Sequence, residues 1–342
     1  MMSARFLTVV LERAFNMRDG FGREIDYMRI SVIDSCNLNC YYCNPCDNNE
    51  HCHALNILSV KEVLCIVRAA TRLGIKHFRL TGGEPLLHPQ LDEMVLQIKK
   101  IPGVSSVSLT TNAVLLAQHA KWLKEAGIDS INVSLDTIDA SEYERITKKP
   151  LLEEVKHGIN AAIECGIRVK INVVLTPQTD VVALTRYVAK KGTDIRFIEM
   201  MPVGEGHTNG VEPYKKVIGT LSKLYGEPCR INTEKTKEIN SGNDKRKIPD
   251  NGPAEYYIFP ELGIRVGLIQ AIHGKFCDTC NRIRVTADGR LMPCLGSSVT
   301  MDLVPDSWDF ADDAEKDFSI VRALRAAIKA KPGCHNFNDN AV

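Results

Sequence analysis

Between residue 27 and about residue 201 the chain alternates six short strand signals with helical ones. YMRISVI, HFRLTGG, VSSVSLTTN, SINVSLD, IRVKINVVL and DIRFIEM are the strand candidates. SVKEVLCIVRAATRLG, LDEMVLQIKKI, HAKWLKEAG, PLLEEVKHGINAAIECG and VVALTRYVAKKG carry helical spacing between them. The first of these opens on a capping box, Ser59 with Glu62, and sets Val60, Val63, Leu64 and Val67 on one face. Successive β/α units imply a parallel sheet with right-handed crossovers. The expectation is therefore an α/β fold, a partial (β/α)6 barrel of the TIM type. A doubly wound open sheet is the rival, but neither GxGxxG nor a GKS/GKT loop is present to support it.

Polar and glycine residues gather at the strand ends: Cys36, TGGEP, TTN, SLD, Lys170 and EMMPVG. A parallel barrel builds its site at the C-terminal ends of its strands, so these segments are expected to face one pocket. After about residue 205 the alternation stops. EINSGNDKRKIPDNGP reads as a polar loop, EYYIF and GIRVGLI as a hairpin, and FSIVRALRAAIKAKPG as a last helix. The division expected is an N-terminal extension over 1–18, a barrel over 19–205 and a C-terminal domain over 206–342.

A chain of 342 residues is long enough for one large barrel or two ordinary domains, and its 44% apolar and 25% charged residues are those of a globular protein. Forty-three basic residues against forty-two acidic ones argue against a nucleic-acid-coating protein. No apolar run approaches the roughly 20 residues that cross a bilayer. In MMSARFLTVVLERAF the apolar core, FLTVVL, is cut off at once by Glu12 and Arg13, too short for a signal peptide. Met17 reads as an alternative start, and a cytoplasmic location is expected. In that compartment twelve cysteines point to metal or redox chemistry rather than disulfides.

Six of them form two tight sets: Cys36, Cys40 and Cys43, then Cys277, Cys280 and Cys294. Cys65 and Cys165 lie in apolar helical patterns and read as ordinary core residues. C-x3-C-x2-C offers three thiolates from one loop, which suits a [4Fe–4S] cube with one iron left for another ligand. Two alternatives stay open on spacing: a ferredoxin-like run including Cys46, or structural zinc completed by Cys46, His51 or His53. The second set, C-x2-C-x13-C, reads equally as a zinc knuckle with His273. Within it, however, Arg282 and Arg284 form an i, i+2 pair, a fork of donors suited to phosphate. Arg29, Arg79, Lys170 and Arg196 add cations on candidate strands, where a buried charge is costly unless it meets an anion.

CNLNCYYC followed by GGEP resembles the radical S-adenosylmethionine (SAM) superfamily. With DGFGR, MRISV, FRLTGGEP, LTTN, INVSLD, VKINVV, IRFIEMMPVG and CDTCNRIRVTADGRLMPCL added, the chain resembles the MoaA family, the GTP 3′,8-cyclases of molybdenum-cofactor biosynthesis, from about Asp19 to His335. That resemblance implies two [4Fe–4S] clusters, one on Cys36, Cys40 and Cys43 and one on Cys277, Cys280 and Cys294. It implies SAM contacts at Tyr42, Gly83, Ser134 and Met201. It implies GTP contacts at Arg29, Arg79, Thr110, Lys170, Arg196, Arg282 and Arg284. The reaction implied begins with a 5′-deoxyadenosyl radical that removes hydrogen from ribose C3′, after which the carbon radical attacks guanine C8. The second open iron would hold the guanine. The resemblance also implies a downstream pterin-forming enzyme as partner and a homodimer.

Three departures stand out. His77 replaces a Lys that the family often carries two residues before the strand Arg, which would weaken the phosphate site or make it pH-sensitive. LTTNA replaces LTTNG. The chain ends in HNFNDNAV, without the family's Gly-Gly tail. The tail motivates a second reading, a radical SAM enzyme of the same build acting on a peptide or another nucleotide. A zinc-stabilised scaffold is the third. Cys46 is expected to be a bystander.

Overall fold

A computed structural model describes residues 17–43, 56–203, 206, 210–231, 252–297, 299–303, 313–335 and 337, with 313–316 as backbone only. The candidate ligands Cys46, His51 and His53, together with Cys52 and the loop EINSGNDKRKIPDN, lie outside the described residues.

The strands are β1 (Tyr27–Ser31), β2 (His77–Thr81), β3 (Ser106–Thr111), β4 (Ser130–Ser134), β5 (Val169–Val174), β6 (Asp194–Ile198), β7 (Cys229–Ile231), β8 (Glu255–Ile258), β9 (Arg265–Ile269), β10 (Arg282–Val285), β11 (Arg290–Met292) and β12 (Met301–Asp302). The helices are α1 (Val60–Arg72), α2 (Leu91–Lys99), α3 (Leu116–Glu125), α4 (Ala140–Thr147), α5 (Leu152–Glu164), α6 (Val181–Lys190), α7 (Gly219–Tyr225) and α8 (Asp313–Lys329). The six expected strands run parallel and in chain order, which makes a partial TIM-type barrel. The capping box is present: the Ser59 amide donates to Glu62 Oε2 at 2.6 Å and the Glu62 amide to Ser59 Oγ at 3.3 Å. Asp139 caps a helix that the sequence pattern did not indicate, α4, through the Glu142 amide at 2.8 Å.

The sheet has twelve strands in the order β12-β11-β10-β1-β2-β3-β4-β5-β6-β9-β8-β7. Its edges come from the last third of the chain. β10 pairs parallel with β1, and β9 pairs parallel with β6. The expected hairpin is β8 with β9, and it extends the same sheet.

The two faces of the central strands differ sharply. Facing the helices are Met28, Ile30, Phe78, Leu80, Val107, Leu109, Ile131, Val133, Ile171, Val173, Ile195, Phe197, Val266, Leu268, Ile283 and Val285, all buried. They fill the layer between sheet and helices, the main hydrophobic core. The alternate positions carry Tyr27, Arg29, His77, Arg79, Ser106, Ser108, Thr110, Asn132, Lys170, Asn172, Arg196, Arg282 and Arg284. Because successive side chains point to opposite faces, these line the concave side. Most barrel interiors are packed with branched apolar residues, whereas this one is lined with hydrogen-bonding groups and cations.

Cys65 is buried in α1, and Cys165, at the end of α5, packs against the core. Among the described residues no helix is long and apolar enough to cross a membrane.

Candidate active site

The first cysteine loop leaves β1 and is held from three directions. Gly83 N–H donates to Ile33 O and Glu84 N–H to Ser35 O, each at 2.8 Å, so the GGEP turn pairs with the segment leading into Cys36. A Cβ at Gly82 would lie 2.3 Å from Ile33 O, and one at Gly83 would lie 2.2 Å from Ser35 O. Only glycine permits backbones this close. The chain's own backbone fills the space beside both glycines.

The buried Glu84 carboxylate then joins β2 to β3. Its Oε1 accepts from Thr111 Oγ1 at 2.7 Å and from the Leu86 amide at 3.0 Å, and its Oε2 from the Asn112 amide at 2.7 Å. Burial still holds its pKa above the ordinary carboxylate value. Asn112 in turn donates to Asn37 Oδ1 at 2.7 Å and lies 3.9 Å from Cys36 Sγ.

On the opposite side Tyr42 donates its hydroxyl to Asp136, whose other oxygen accepts from the Val174 amide at 2.7 Å. Burial pushes the Asp136 carboxyl up to about 6. Burial, then the neighbouring Asp136, raise the Cys40 thiol to about 12 and move Cys43 in the same direction. Burial raises Cys36 as well. Ligation must therefore displace protons that the metal-free loop holds firmly.

The second set flanks β10 and β11, the strands next to β1, with Cys277 and Cys280 before β10 and Cys294 after β11. Cys277, Cys280 and Cys294 line a cavity of about 150 Å³ together with Arg29, Arg282 and Arg284. Met201, which the family resemblance assigns to the cofactor, lines the same cavity. A Cβ at Gly206 would lie 2.6 Å from Met201 O and 3.4 Å from Tyr42 O, so Gly206 packs near both Met201 and the first cysteine loop. For Cys280 burial raises the pKa, but Arg282 and Lys331 more than offset it and bring the thiol down to about 7.

The loop positions of this second set depend on residues whose roles the sequence did not reveal. Arg23, of the DGFGR segment, is buried against Asp19 at 2.6 Å. Its guanidinium donates to Cys277 O at 2.7 Å, Gly333 O at 3.0 Å and Pro332 O at 2.6 Å. The buried Lys331 ammonium donates to Arg282 O at 2.9 Å and Pro293 O at 2.8 Å. Glu199, at the end of β6, accepts from the Ile272 amide at 2.7 Å, the His273 amide at 3.1 Å and the His273 ring. His273, a candidate zinc ligand on spacing, is thus engaged by a carboxylate.

Strand register collects the candidate cations into rows. Arg284, Arg29 and Arg79 are directly opposed neighbours across β10, β1 and β2, and Ser108 continues that row on β3. Arg282 opposes Tyr27, one inward position nearer the strand start. Thr110 accepts from Arg79 Nη1 at 3.3 Å, and Tyr27 accepts from Arg79 Nε. Lys170 opposes Asn132, and Arg196 donates to Asn172 Oδ1 at 3.0 Å. A Cβ at Gly267 would meet the Arg196 stem at 2.8 Å, so glycine there makes room for the arginine.

Burial, followed by the charge of Arg284, lowers the Arg29 pKa well below the ordinary value; burial, followed by Arg282, brings Arg284 to about 10. Arg29 Nε is buried with no hydrogen-bond partner among the described residues. Ser134 is exposed at the end of β4, on the side of the first loop. His77 lies at the start of β2, hydrogen-bonded to Ser106 Oγ at 2.8 Å, and burial lowers its pKa.

Among the described residues no three Cys, His, Asp or Glu side chains converge closely enough to hold a single metal ion. A lone zinc gathers its thiolates at about 2.3 Å from one centre. A cubane spreads them over separate irons, and two sets of three free thiols are a donor set of that kind.

The radical SAM superfamily model matches residues 30–183, and the Molybdenum Cofactor Synthesis C model matches residues 193–337. A GTP 3′,8-cyclase of Clostridium perfringens is 35% identical over 324 residues, covering 94% of this chain and 95% of the relative. A GTP 3′,8-cyclase of Peptoclostridium acidaminophilum is 37% identical over 328 residues, covering 94% of each. In three dimensions the chain is similar to Streptococcus suis SuiB bound to S-adenosylmethionine, with a TM-score of 0.54 and 16% identity over 88% of this chain and 68% of that one. Native anSMEcpe with bound AdoMet gives a TM-score of 0.54 at 17% identity, over 89% of this chain and 84% of that one. These two share the fold.

Proposed function

Since the chain belongs to the GTP 3′,8-cyclase family of the radical SAM superfamily, we propose that its two cysteine loops and the cationic rows between them form one active site. The enzyme converts GTP to (8S)-3′,8-cyclo-7,8-dihydroguanosine 5′-triphosphate, the first step of molybdopterin biosynthesis. Its cofactors include S-adenosylmethionine and an iron–sulfur cluster, and when bound these supply the 5′-deoxyadenosyl radical that takes hydrogen from ribose C3′.

In this reading Cys36, Cys40 and Cys43 hold the first cluster. Tyr42, steadied by Asp136, borders the cofactor with Gly83, Ser134 and Met201. Cys277, Cys280 and Cys294 hold a second [4Fe–4S] cluster. Arg29, Arg79, Thr110, Lys170, Arg196, Arg282 and Arg284 bind GTP. The observation that carries the substrate side is the row Arg284–Arg29–Arg79, whose first two members line the cavity of the second thiol set. Adjacent guanidinium groups out of water are costly without an anion, and a triphosphate supplies one in bidentate geometry. The barrel walls exclude water from a radical held between the loops.

The product passes to a pterin-forming enzyme of the same pathway, and the active form is a homodimer. Anaerobic incubation with dithionite, S-adenosylmethionine and GTP tests the reading. It expects 5′-deoxyadenosine and cyclised nucleotide in equal amounts; deoxyadenosine formed while GTP persists would overturn the substrate assignment.

A further inference from the structure

We propose that Asn132, on the concave face of β4, reads the sugar of the substrate: its side-chain oxygen accepts a hydrogen bond from a ribose hydroxyl. The proposal deepens the function proposed above and rests on it.

Asn132 is only 4% exposed, and its Oδ1 is buried with no hydrogen-bond partner among the described residues. A buried acceptor is costly until something donates to it, so a ligand group is called for at this point. Asn172, the concave asparagine of β5, differs, because its Oδ1 accepts from Arg196 Nε at 3.0 Å.

Register gives the place. Asn132 stands directly between Thr110 on β3 and Lys170 on β5, both proposed above to bind GTP. Ser134, proposed to border the cofactor, is the next concave residue along the same strand. Asn132 therefore has a substrate contact on each side and a cofactor contact beyond it. The part of GTP that must meet both is the ribose, since its C3′ is where the cofactor acts.

The neighbouring groups select the ligand atom. Arg79 and Lys170 offer only N–H donors, and Thr110 Oγ1 already accepts from Arg79 Nη1 at 3.3 Å. Phosphate oxygens suit those donors but cannot donate to Oδ1. The guanine N–H groups belong with the second thiol set; β4 is four strands from β10, and Asn132 is not among the residues lining that cavity. A ribose hydroxyl is the donor that remains. With Lys170 directly opposite, oxygen is also electrostatically the better occupant of this position than the amide nitrogen.

The cofactor has a ribose too, and the test separates the two sugars. The full chain, reconstituted anaerobically, is compared with Asn132→Leu, which keeps the shape of the side chain without its polar atoms. Equilibrium dialysis measures the binding of GTP, 2′-deoxyGTP, 3′-deoxyGTP and, separately, S-adenosylmethionine. The parent is expected to bind at least one deoxy analogue about tenfold more weakly than GTP. Asn132→Leu should bind GTP and that analogue equally, with S-adenosylmethionine binding unchanged. Iron content and circular dichroism establish that the variant is folded; if it is not, Asn132→Ala carries the same expectation. A parent without sugar preference, or a preference that survives in the variant, overturns the proposal. Weakened S-adenosylmethionine binding with GTP binding intact also overturns it, by giving the oxygen to the cofactor. If the parent binds no GTP at all, the proposed function fails and this proposal with it, whereas GTP binding without sugar preference fails this proposal alone.

Discussion

Arg29 and Arg284 stand directly opposite each other across β1 and β10, two guanidinium side chains in one cross-strand pair. Like charges in this position destabilise a sheet, and burial removes the water that would screen them. The pair makes sense as half of a salt with the missing half supplied by ligand. Arg284→Met is therefore expected to raise the stability of the ligand-free chain by about 0.5 kcal/mol while lowering kcat/KM for GTP by at least 100-fold. Thermal melts with and without GTP, together with iron content, check this. Loss of the second cluster's iron in the variant would instead make Arg284 structural.

Gly83→Ala would put a methyl group 2.2 Å from Ser35 O and 2.4 Å from Asp34 O, both backbone atoms. No side chain can swing aside there. The Cys36 loop must shift, so the variant is expected to lose the first cluster and keep the second. Iron content should fall by about half, with deoxyadenosine production abolished.

Ala113 has a left-handed backbone, with φ of 66°, where a Cβ costs roughly 1–2 kcal/mol. The family resemblance implies glycine at this position, so alanine in LTTNA carries a conformational cost. Ala113→Gly should raise stability by about 0.5–1 kcal/mol after the greater flexibility of the unfolded chain is offset. A denaturant midpoint lower than that of the parent would refute the strain argument.

Arg23→Met removes the cation shared by Cys277 O, Pro332 O and Gly333 O and leaves Asp19 buried without its partner. An unpaired buried charge costs about 3–5 kcal/mol. Asp19→Asn with Arg23→Met should recover part of that loss, yet the second cluster should remain unstable because the Cys277 loop is no longer fastened. Urea unfolding and iron retention separate the two effects.

Burial depresses His77 below its ordinary value of 6.5. A group that binds its proton less readily when folded adds stability above its unfolded pKa, and that stability is lost as pH falls through the folded pKa. The His77 contribution should thus be complete above about pH 6.5 and decline in more acid solution. His77→Gln should flatten that part of the stability–pH curve. An NMR midpoint above 6.5 would reverse the sign. At neutral pH the ring is uncharged and adds no cation to the Arg284–Arg29–Arg79 row.

Periodicity made the six parallel strands readable because each β/α unit is local, and the capping box at Ser59 marked its helix start. The cysteine sets and the basic strand residues were readable for the same reason: each carries its chemistry in its residue type. What spacing does not encode is register. Nothing in FRL or MRISV says that Arg79 and Arg29 are neighbours, and nothing in RIRV says that it pairs beside β1. The roles of Arg23, Lys331, Glu84 and Glu199 were hidden because each acts largely on backbone carbonyls or amides, partners with no side-chain signature. Helix α4 escaped because ASEYERIT is short and polar, and it rests on the Asp139 cap.

The sheet edges flanking β1 and β6 are made from β10 and β9, translated long after the strands they cover. A ribosome releasing this chain exposes a half-built barrel whose β6 edge waits for the 66 residues from 199 to 264 before β9 arrives, and whose β1 edge waits longer, until β10 begins at Arg282. Unpaired parallel edges recruit other chains. Expression yield should therefore depend on chaperone capture and translation speed across this interval. Iron delivery to either cysteine set becomes a post-synthetic event, since neither pocket is walled until the C-terminal strands have closed over both flanks.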